Sequence, residues 1–232
     1  MKTKNKDITL KAKIASFINA VILKKIGLVV CRFMSSIGRK RADYVYRASD
    51  YMRVSSLELV ANEIHENNVA GSVAELGVFR GEFAKLINIA FPDRKLYLFD
   101  TFEGFDEKDV TIEHSPKSNV EDFSNTSIEL VLNKMKYREN CIVKKGYFPQ
   151  SSEGIEDTFA FVSIDADLYE PIYNGLCYFY PRLNRGGYIF IHDYNDGTTY
   201  TRVKEAVKKY CFEHNITYFP LSDHYGSAII MK

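Results

Sequence analysis

From about Val54 onward, short apolar runs alternate with helix-patterned segments, and this alternation restricts the chain to a mostly parallel sheet covered by helices on both faces. SSLELVANEIHENN repeats Leu57, Val60, Ala61 and Ile64 at helical spacing, with Ser55 or Ser56 placed to cap it. GSVAELGVF reads as a strand ending in glycine, EFAKLINIAF as a helix stopped by Pro92, and KLYLFDTF as a second strand. A polar, irregular region (about residues 103–125) precedes the helix TSIELVLNKMKYR and the strands CIVKKGYF and FAFVSIDAD. YEPIYNGLCYFYPRL is a helix closed by Asn184 and the Gly186, Gly187 pair; GYIFIHDY is the fifth strand and TRVKEAVKKYCFEH the next helix. ITYFPL and SAIIMK, separated by the turn-rich SDHYG, complete the chain as an antiparallel pair.

A chain of 232 residues fits one large domain with an added N-terminal element. Lysine plus arginine (31) nearly balances aspartate plus glutamate (30), which argues against a nucleic-acid platform. The four cysteines, Cys31, Cys141, Cys177 and Cys211, show neither zinc spacing nor a disulfide framework. They read as reduced thiols of a cytoplasmic protein.

Residues 10–34, LKAKIASFINAVILKKIGLVVCRFM, are apolar and compatible with a helix. Lys24 and Lys25 interrupt the run in its middle, at a cost to any bilayer-centred helix, and no small-residue cleavage site follows. The leading expectation is a helix docked on the main domain or on a second subunit of a homo-oligomer. The alternative is peripheral contact with the inner membrane surface, favoured by Lys11, Lys13, Lys24, Lys25 and Arg32. Residues 35–50 read as a connector, so residues 1–50 form an extension and residues 51–232 the main domain.

Ligands of such sheets bind outside the carboxyl ends of the strands. The polar residues there are Glu75, Asp100, Tyr147, Asp165, Asp167, His192 and Asp193. In ELGVFRG, Gly77 lets the backbone turn and approach a ligand, and Gly81 permits close packing at the helix start. The spacing is neither the dinucleotide fingerprint nor a phosphate loop. Glu75, just before the turn, would repel phosphates but suits a ligand carrying an ammonium and a sulfonium. Asp100 ends the next strand, 23 residues after Gly77, where a carboxylate can accept from both hydroxyls of a ribose; a turn cap within DTFEG is its other role. A nucleoside with a positive centre and no phosphate describes S-adenosylmethionine better than NAD or ATP.

Asp165 and Asp167, alternate residues, can converge with a neighbouring strand end bearing His192 and Asp193. Two carboxylates with an imidazole suit Mg2+ or a similar ion; the alternative has Asp165 capping a helix and His192 simply packed. His114, in the polar segment EHSPKSN, is the candidate general base.

Read together, VAELGVFRGEFA, LYLFDTFEGF, VKKGYFPQS, SIDADLYEP and YPRLNRGGYIFIHDY resemble the macrocin O-methyltransferase (TylF-like) family, which methylates sugar hydroxyls on natural products. The resemblance runs from about Tyr51 to Lys232. It implies a class I methyltransferase fold, Rossmann-like, with seven strands of which one is antiparallel. It also implies S-adenosylmethionine, with Thr101 beside Asp100 on the cofactor side, and a divalent metal, usually Mg2+, at the positions of Asp165, His192 and Asp193. Family members commonly carry two acidic residues before the tyrosine, where this chain has His192 and Asp193. Losing one carboxylate weakens Mg2+ binding or shifts preference toward Mn2+. A loop histidine acting as base is also known in the family.

The expected reaction is in-line methyl transfer to a sugar hydroxyl of a glycan or glycosylated metabolite. Asp165 and Asp193 hold the ion against the acceptor, His114 takes the proton, and Tyr147, Phe148 and Tyr169 wall the groove. Asp167 is left between the cofactor side and a ligand-orienting role. The rival readings are a catechol-type O-methyltransferase, a hydroxylase-like relative, and a non-catalytic binding protein that keeps the fold.

Overall fold

The computed structural model describes residues 10–26, 45, 50–113, 118–197 and 202–232. The chain divides into two compact units, Met1–Arg41 and Ala42–Lys232. In the first, helix α1 (Leu10–Val21) is followed by one 3-10 turn, Leu23–Ile26. Ile14, Phe17 and Val21 are exposed along it. Among the described residues, no helix is long and apolar enough to cross a membrane.

The second unit is built on seven strands: β1 (Ser72–Leu76), β2 (Leu96–Asp100), β3 (Cys141–Lys145), β4 (Phe159–Ile164), β5 (Leu183–Ile191), β6 (Phe219–Pro220) and β7 (Ala228–Met231). Their order is β3-β2-β1-β4-β5-β7-β6. The first five pair in parallel, and β7 runs antiparallel to both β5 and β6. This is the sheet the alternation and the terminal pair predict. Every residue of β1 and β4 is buried, as expected of central strands covered on both faces.

Among the described residues of this unit, α2 (Tyr51–Glu66) precedes the sheet, and α3 (Ala84–Ala90), α4 (Glu107–Glu113), α5 (Ile128–Leu132), α6 (Tyr169–Arg182) and α7 (Val203–Glu213) lie between its strands. On one face Leu176 and Phe179 of α6 and Val207 and Tyr210 of α7 pack with Phe99, Phe159 and Ile164. On the other, Leu57 and Ile64 of α2 and Ile87 of α3 pack with Val73, Leu98 and Phe161. Each such side chain contributes roughly 1.5–3 kcal/mol by leaving water. Cys141, Cys177 and Cys211 are free thiols.

Three local expectations are corrected. Helix α2 starts at Tyr51, because Asp50, not Ser55 or Ser56, caps it: its Oδ1 accepts from the Arg53 amide at 3.1 Å. Ser55 lies inside the helix, and its hydroxyl donates back to the Met52 carbonyl. The irregular region contains α4, whose first turn carries Glu107 and Asp109, favourable at a helix N-terminus. Finally, Asn184, Gly186 and Gly187 do not close α6. They lie in β5, which begins directly after Arg182, and the register shift between Phe159 and Phe161 on the β4 side marks where β5 accommodates the extra residues.

Strand register decides what meets at the carboxyl edge. Leu76 pairs with both Phe99 and Ile164, and Ile164 pairs with Ile191. The next residues on these strands, Asp100, Gly77, Asp165 and His192, therefore form one row. Backbone hydrogen bonds carry the ladder into that row: Gly77 N–H to the Phe99 carbonyl, Asp165 N–H to Leu76 and His192 N–H to Ile164, at 2.8–2.9 Å.

Gly77 is the pivot of this edge. Its φ is +84°, and an added Cβ would stand 2.0 Å from the Asp165 carbonyl oxygen. Gly77→Ala should lower stability by about 3 kcal/mol or more through clash and strain together, read as a fall in the denaturant midpoint. A change within about 0.5 kcal/mol would show that the turn tolerates a side chain.

Candidate active site

A cavity of about 480 Å³ opens at the carboxyl edge, large enough for a nucleoside-sized ligand. Glu75, Gly77, Asp100 and Thr101 line one part of it, and Asp165, Asp167, His192 and Asp193 another. Tyr147 and Phe148 line it as well. Gly81 and Tyr169 do not. Gly81, at φ +75°, packs against Val131 of α5, and buried Tyr169 begins α6, its N–H donating to Glu113. His114 falls outside the described residues.

Glu75 is only 1% exposed, and its Oε2 has no hydrogen-bond partner. Burial, reinforced by Asp165, pushes its carboxyl well above the usual carboxylate range, with Arg53 opposing. An unpartnered buried carboxyl oxygen on a residue that lines a hollow is suited to a cationic ligand group.

Asp100 shows the capping role. Its Oδ2 accepts from the amides of Val78 and Phe79 at 2.8 and 2.7 Å, and its Oδ1 from that of Phe102 at 2.6 Å. The carboxylate thus ties the turn after β1 to the turn after β2. A carboxylate has about four acceptor sites, so Asp100, which lines the cavity, keeps one for a further partner. Thr101 braces the second turn: its hydroxyl donates to the Gly104 carbonyl and accepts from the Glu103 amide.

Asp165, His192 and Asp193 each bring one donor atom within 4.8 Å of the others. His192 Nδ1 stands 3.1 Å from Asp165 Oδ1 and 3.0 Å from Asp193 Oδ2. Burial alone would lower the imidazole, but Asp165 and hydrogen bonds to both carboxylates outweigh it and lift the ring to about 10. Asp50 and Asp223 approach the same imidazole, with donor atoms of the three within 4.8 Å of one another. Asp193 and Asp167 are both left-handed, at φ +57° and +60°. Asp167 lies beyond the end of β4, so strand alternation does not position it. Burial and the carboxylates of Asp165 and Asp193 push it well above the usual range.

Two residues of the site escape the sequence patterns. Arg53, buried on α2, donates from Nη2 to Asp165 Oδ2 at 2.9 Å, and its guanidinium lies 3.9 Å from the Phe83 ring centre. Burial would raise Asp165, but Arg53 and His192 hold it well below the ordinary range. Asp109 of α4, 5% exposed, lines the cavity and accepts from the Tyr147 hydroxyl at 2.7 Å. The signal for Arg53 was Asp50 three residues earlier, a capping spacing that starts the helix in time to include it.

A family model described as macrocin-O-methyltransferase (TylF) matches residues 36–226. The chain belongs to that family. The family is named for an O-methyltransferase. It is 25% identical to demethyldecarbamoylnovobiocin O-methyltransferase of Streptomyces niveus, over 61% of this chain and 60% of that protein. It is also 25% identical to mycinamicin III 3''-O-methyltransferase of Micromonospora griseorubida, over 90% and 88%. The chain thus spans less than two thirds of the first relative and most of the second. Among solved structures, the O-methyltransferase NovP superposes with a TM-score of 0.62 at 22% identity, covering 78% of this chain and 80% of that one. The class I methyltransferase fold follows.

The Asp109 environment carries a pH signature. Burial lifts its carboxyl from 3.8 to about 6, against the Tyr147 hydrogen bond. Between these values the folded chain binds more protons than the unfolded one, so this residue's contribution to stability falls as pH rises from about 4 to 6. Asp109→Asn should remove a decline of about 1–2 kcal/mol over that window, read by denaturant unfolding at several pH values. Parallel curves for the two proteins would reject the assignment.

Proposed function

We propose that this enzyme transfers the methyl group of S-adenosylmethionine to a sugar hydroxyl of a glycan or glycosylated metabolite, with assistance from a divalent cation. The observation that carries the reading is buried Glu75, whose Oε2 lacks a hydrogen-bond partner, in the same cavity as the Asp165, His192 and Asp193 cluster. One half suits a cationic nucleoside and the other an acceptor oxygen.

In this reading Glu75 receives the ammonium of the donor, Gly77 gives the backbone clearance, and the remaining acceptor site of Asp100 takes a ribose hydroxyl, with Thr101 holding the turn. The donor methyl is already activated, so the protein acts mainly by positioning it in line with the acceptor oxygen. Asp165 and Asp193 orient the acceptor, Tyr147 and Phe148 wall the groove, and His114, which follows α4 directly in sequence, takes the proton.

The donor set fits a cation. Neighbouring ligands on an octahedral ion with bonds of about 2.1 Å stand about 3 Å apart. The distances from His192 Nδ1 to the two carboxylate oxygens, 3.1 and 3.0 Å, have that spacing. A bound Mg2+ or Mn2+ would lower the proton affinity of the acceptor hydroxyl and select which oxygen reacts. The same distances also support a second reading, in which Arg53 and protonated His192 neutralise the carboxylates and no ion is needed.

The acceptor class rests on the family and on two relatives named for methylating novobiocin-type and mycinamicin compounds. The free thiols support a cytoplasmic setting. The exposed Ile14, Phe17 and Val21 support α1 as the contact helix of a homo-oligomer, with the membrane surface as the alternative. In a separate measurement, a monomer by light scattering that floats with anionic vesicles would select that alternative.

Asp193→Asn should lower kcat by about 100-fold or more while leaving S-adenosylhomocysteine affinity within about threefold. Turnover should also be lost on exhaustive chelation and restored by Mg2+ or Mn2+. Full activity after chelation would reject the ion and leave the ion-pair reading. Absence of S-adenosylhomocysteine as a product with any sugar acceptor would reject the reaction.

A further inference from the structure

Arg53 is buried at the wall of the cavity with bonding capacity to spare. Its Nη2 serves Asp165 and, at 3.4 Å, the Ser163 hydroxyl, while its Nε has no hydrogen-bond partner. Phe83 beneath the guanidinium fixes its plane. A buried N–H without an acceptor is costly, and Arg53 lines the same hollow as Glu75, whose Oε2 is likewise buried and unpartnered. The two orphans have opposite polarity: one is a donor on a cation, the other an oxygen that can accept from a cation.

The remaining guanidinium on the cavity wall, that of half-buried Arg80, already donates to the Asn125 carbonyl. The other charged groups there are mostly carboxylates, Asp100, Asp106, Asp165 and Asp193 among them, and these repel an anionic ligand group. A ligand bearing an α-amino acid end brings one ammonium and one carboxylate joined through a single carbon. It needs an acceptor and a cationic donor close together.

We infer that Arg53 binds the α-carboxylate of the methyl donor, forming with Glu75 a clamp of opposite polarities for the zwitterionic end. This rests on the reading of the cavity as a donor site and names the residue that recognises the carboxylate. Arginine suits the task because its fork can serve Asp165 through Nη2 while presenting Nε–H to a second acceptor. The same side chain then joins the two halves of the site: it holds one Asp165 oxygen, leaving the other toward His192, and it registers the donor's amino-acid end. Arg53 is in this sense a binding residue for the donor and a positioning residue for Asp165.

The test is calorimetric titration of S-adenosylhomocysteine, its decarboxylated form and 5′-methylthioadenosine into the full chain. The wild type should prefer S-adenosylhomocysteine over the decarboxylated form by about 10- to 100-fold, the worth of a charge-assisted hydrogen bond. Arg53→Met should bind the two with equal affinity, while its affinity for 5′-methylthioadenosine, which lacks the amino-acid end, stays that of the wild type. Arg53→Lys keeps the charge without the fork and should narrow the preference several-fold; it serves as the decisive variant if Arg53→Met does not melt cooperatively. Wild-type discrimination retained in either variant, or no discrimination in the wild type, would overturn the assignment of Arg53. Failure of the wild type to bind either S-adenosylhomocysteine or 5′-methylthioadenosine would instead overturn the donor-site reading itself.

Discussion

The parallel ladder does not stop where the strands do. Its hydrogen bonds continue through the amides of Gly77, Asp165 and His192, and that continuation sets Asp100, Gly77, Asp165 and His192 side by side at one edge. Side chains there are positioned by backbone geometry within a rigid sheet, more tightly than loops alone would hold them. The close approach of Gly77 to the Asp165 carbonyl is part of the same constraint. A side chain at residue 77 would push the donor turn and the acceptor strand apart. The two halves of the site are therefore coupled through main-chain packing before any ligand enters.

So many carboxylates at one edge repel one another, and the chain sets two basic side chains among them. Arg53 reaches Asp165 from α2, a helix that precedes the sheet, and His192 sits between Asp165 and Asp193. Asp167 relieves the remaining repulsion in another way, by favouring its neutral form beside Asp193. Glu75 also shifts toward the neutral form, chiefly because it is buried. The edge is thus a network in which Arg53 and His192 engage Asp165 and Asp193, while burial and neighbouring charge favour the neutral forms of Asp167 and Glu75.

Much of this was legible in the sequence for a physical reason. In a doubly wound sheet, function collects at strand ends, and strand ends can be read from where apolar runs meet polar residues. Glu75, Asp100, Asp165, His192 and Asp193 all announce themselves that way. Arg53 does not. It lies on a helix whose apolar repeat starts at Leu57, and the helix extends back past it only because Asp50 supplies the cap. Asp109 is hidden for a different reason: α4 is short and polar, with no repeat to mark a buried face, and it is ordered through Tyr147 and Tyr169, residues 38 and 56 positions away. Asp100 carried two readings, ribose acceptor and turn cap, and a local sequence pattern has no means of ranking them. The cap dominates because three amides from two turns converge on one carboxylate.

That convergence bears on how the cofactor end works. A carboxylate engaged by three backbone N–H groups is held in place, so its remaining acceptor position is preorganised. The turns it ties together come from β1 and β2, and the first also carries Gly77, pressed on Asp165. Asp100 therefore holds the geometry of the whole edge as well as offering an oxygen to a ligand. Glu75 and Arg53 are the complement of this design: Glu75 Oε2 and Arg53 Nε are buried and without partners. The groups with satisfied bonds set the shape of the cavity, and the orphaned ones define the polarity that a ligand must match.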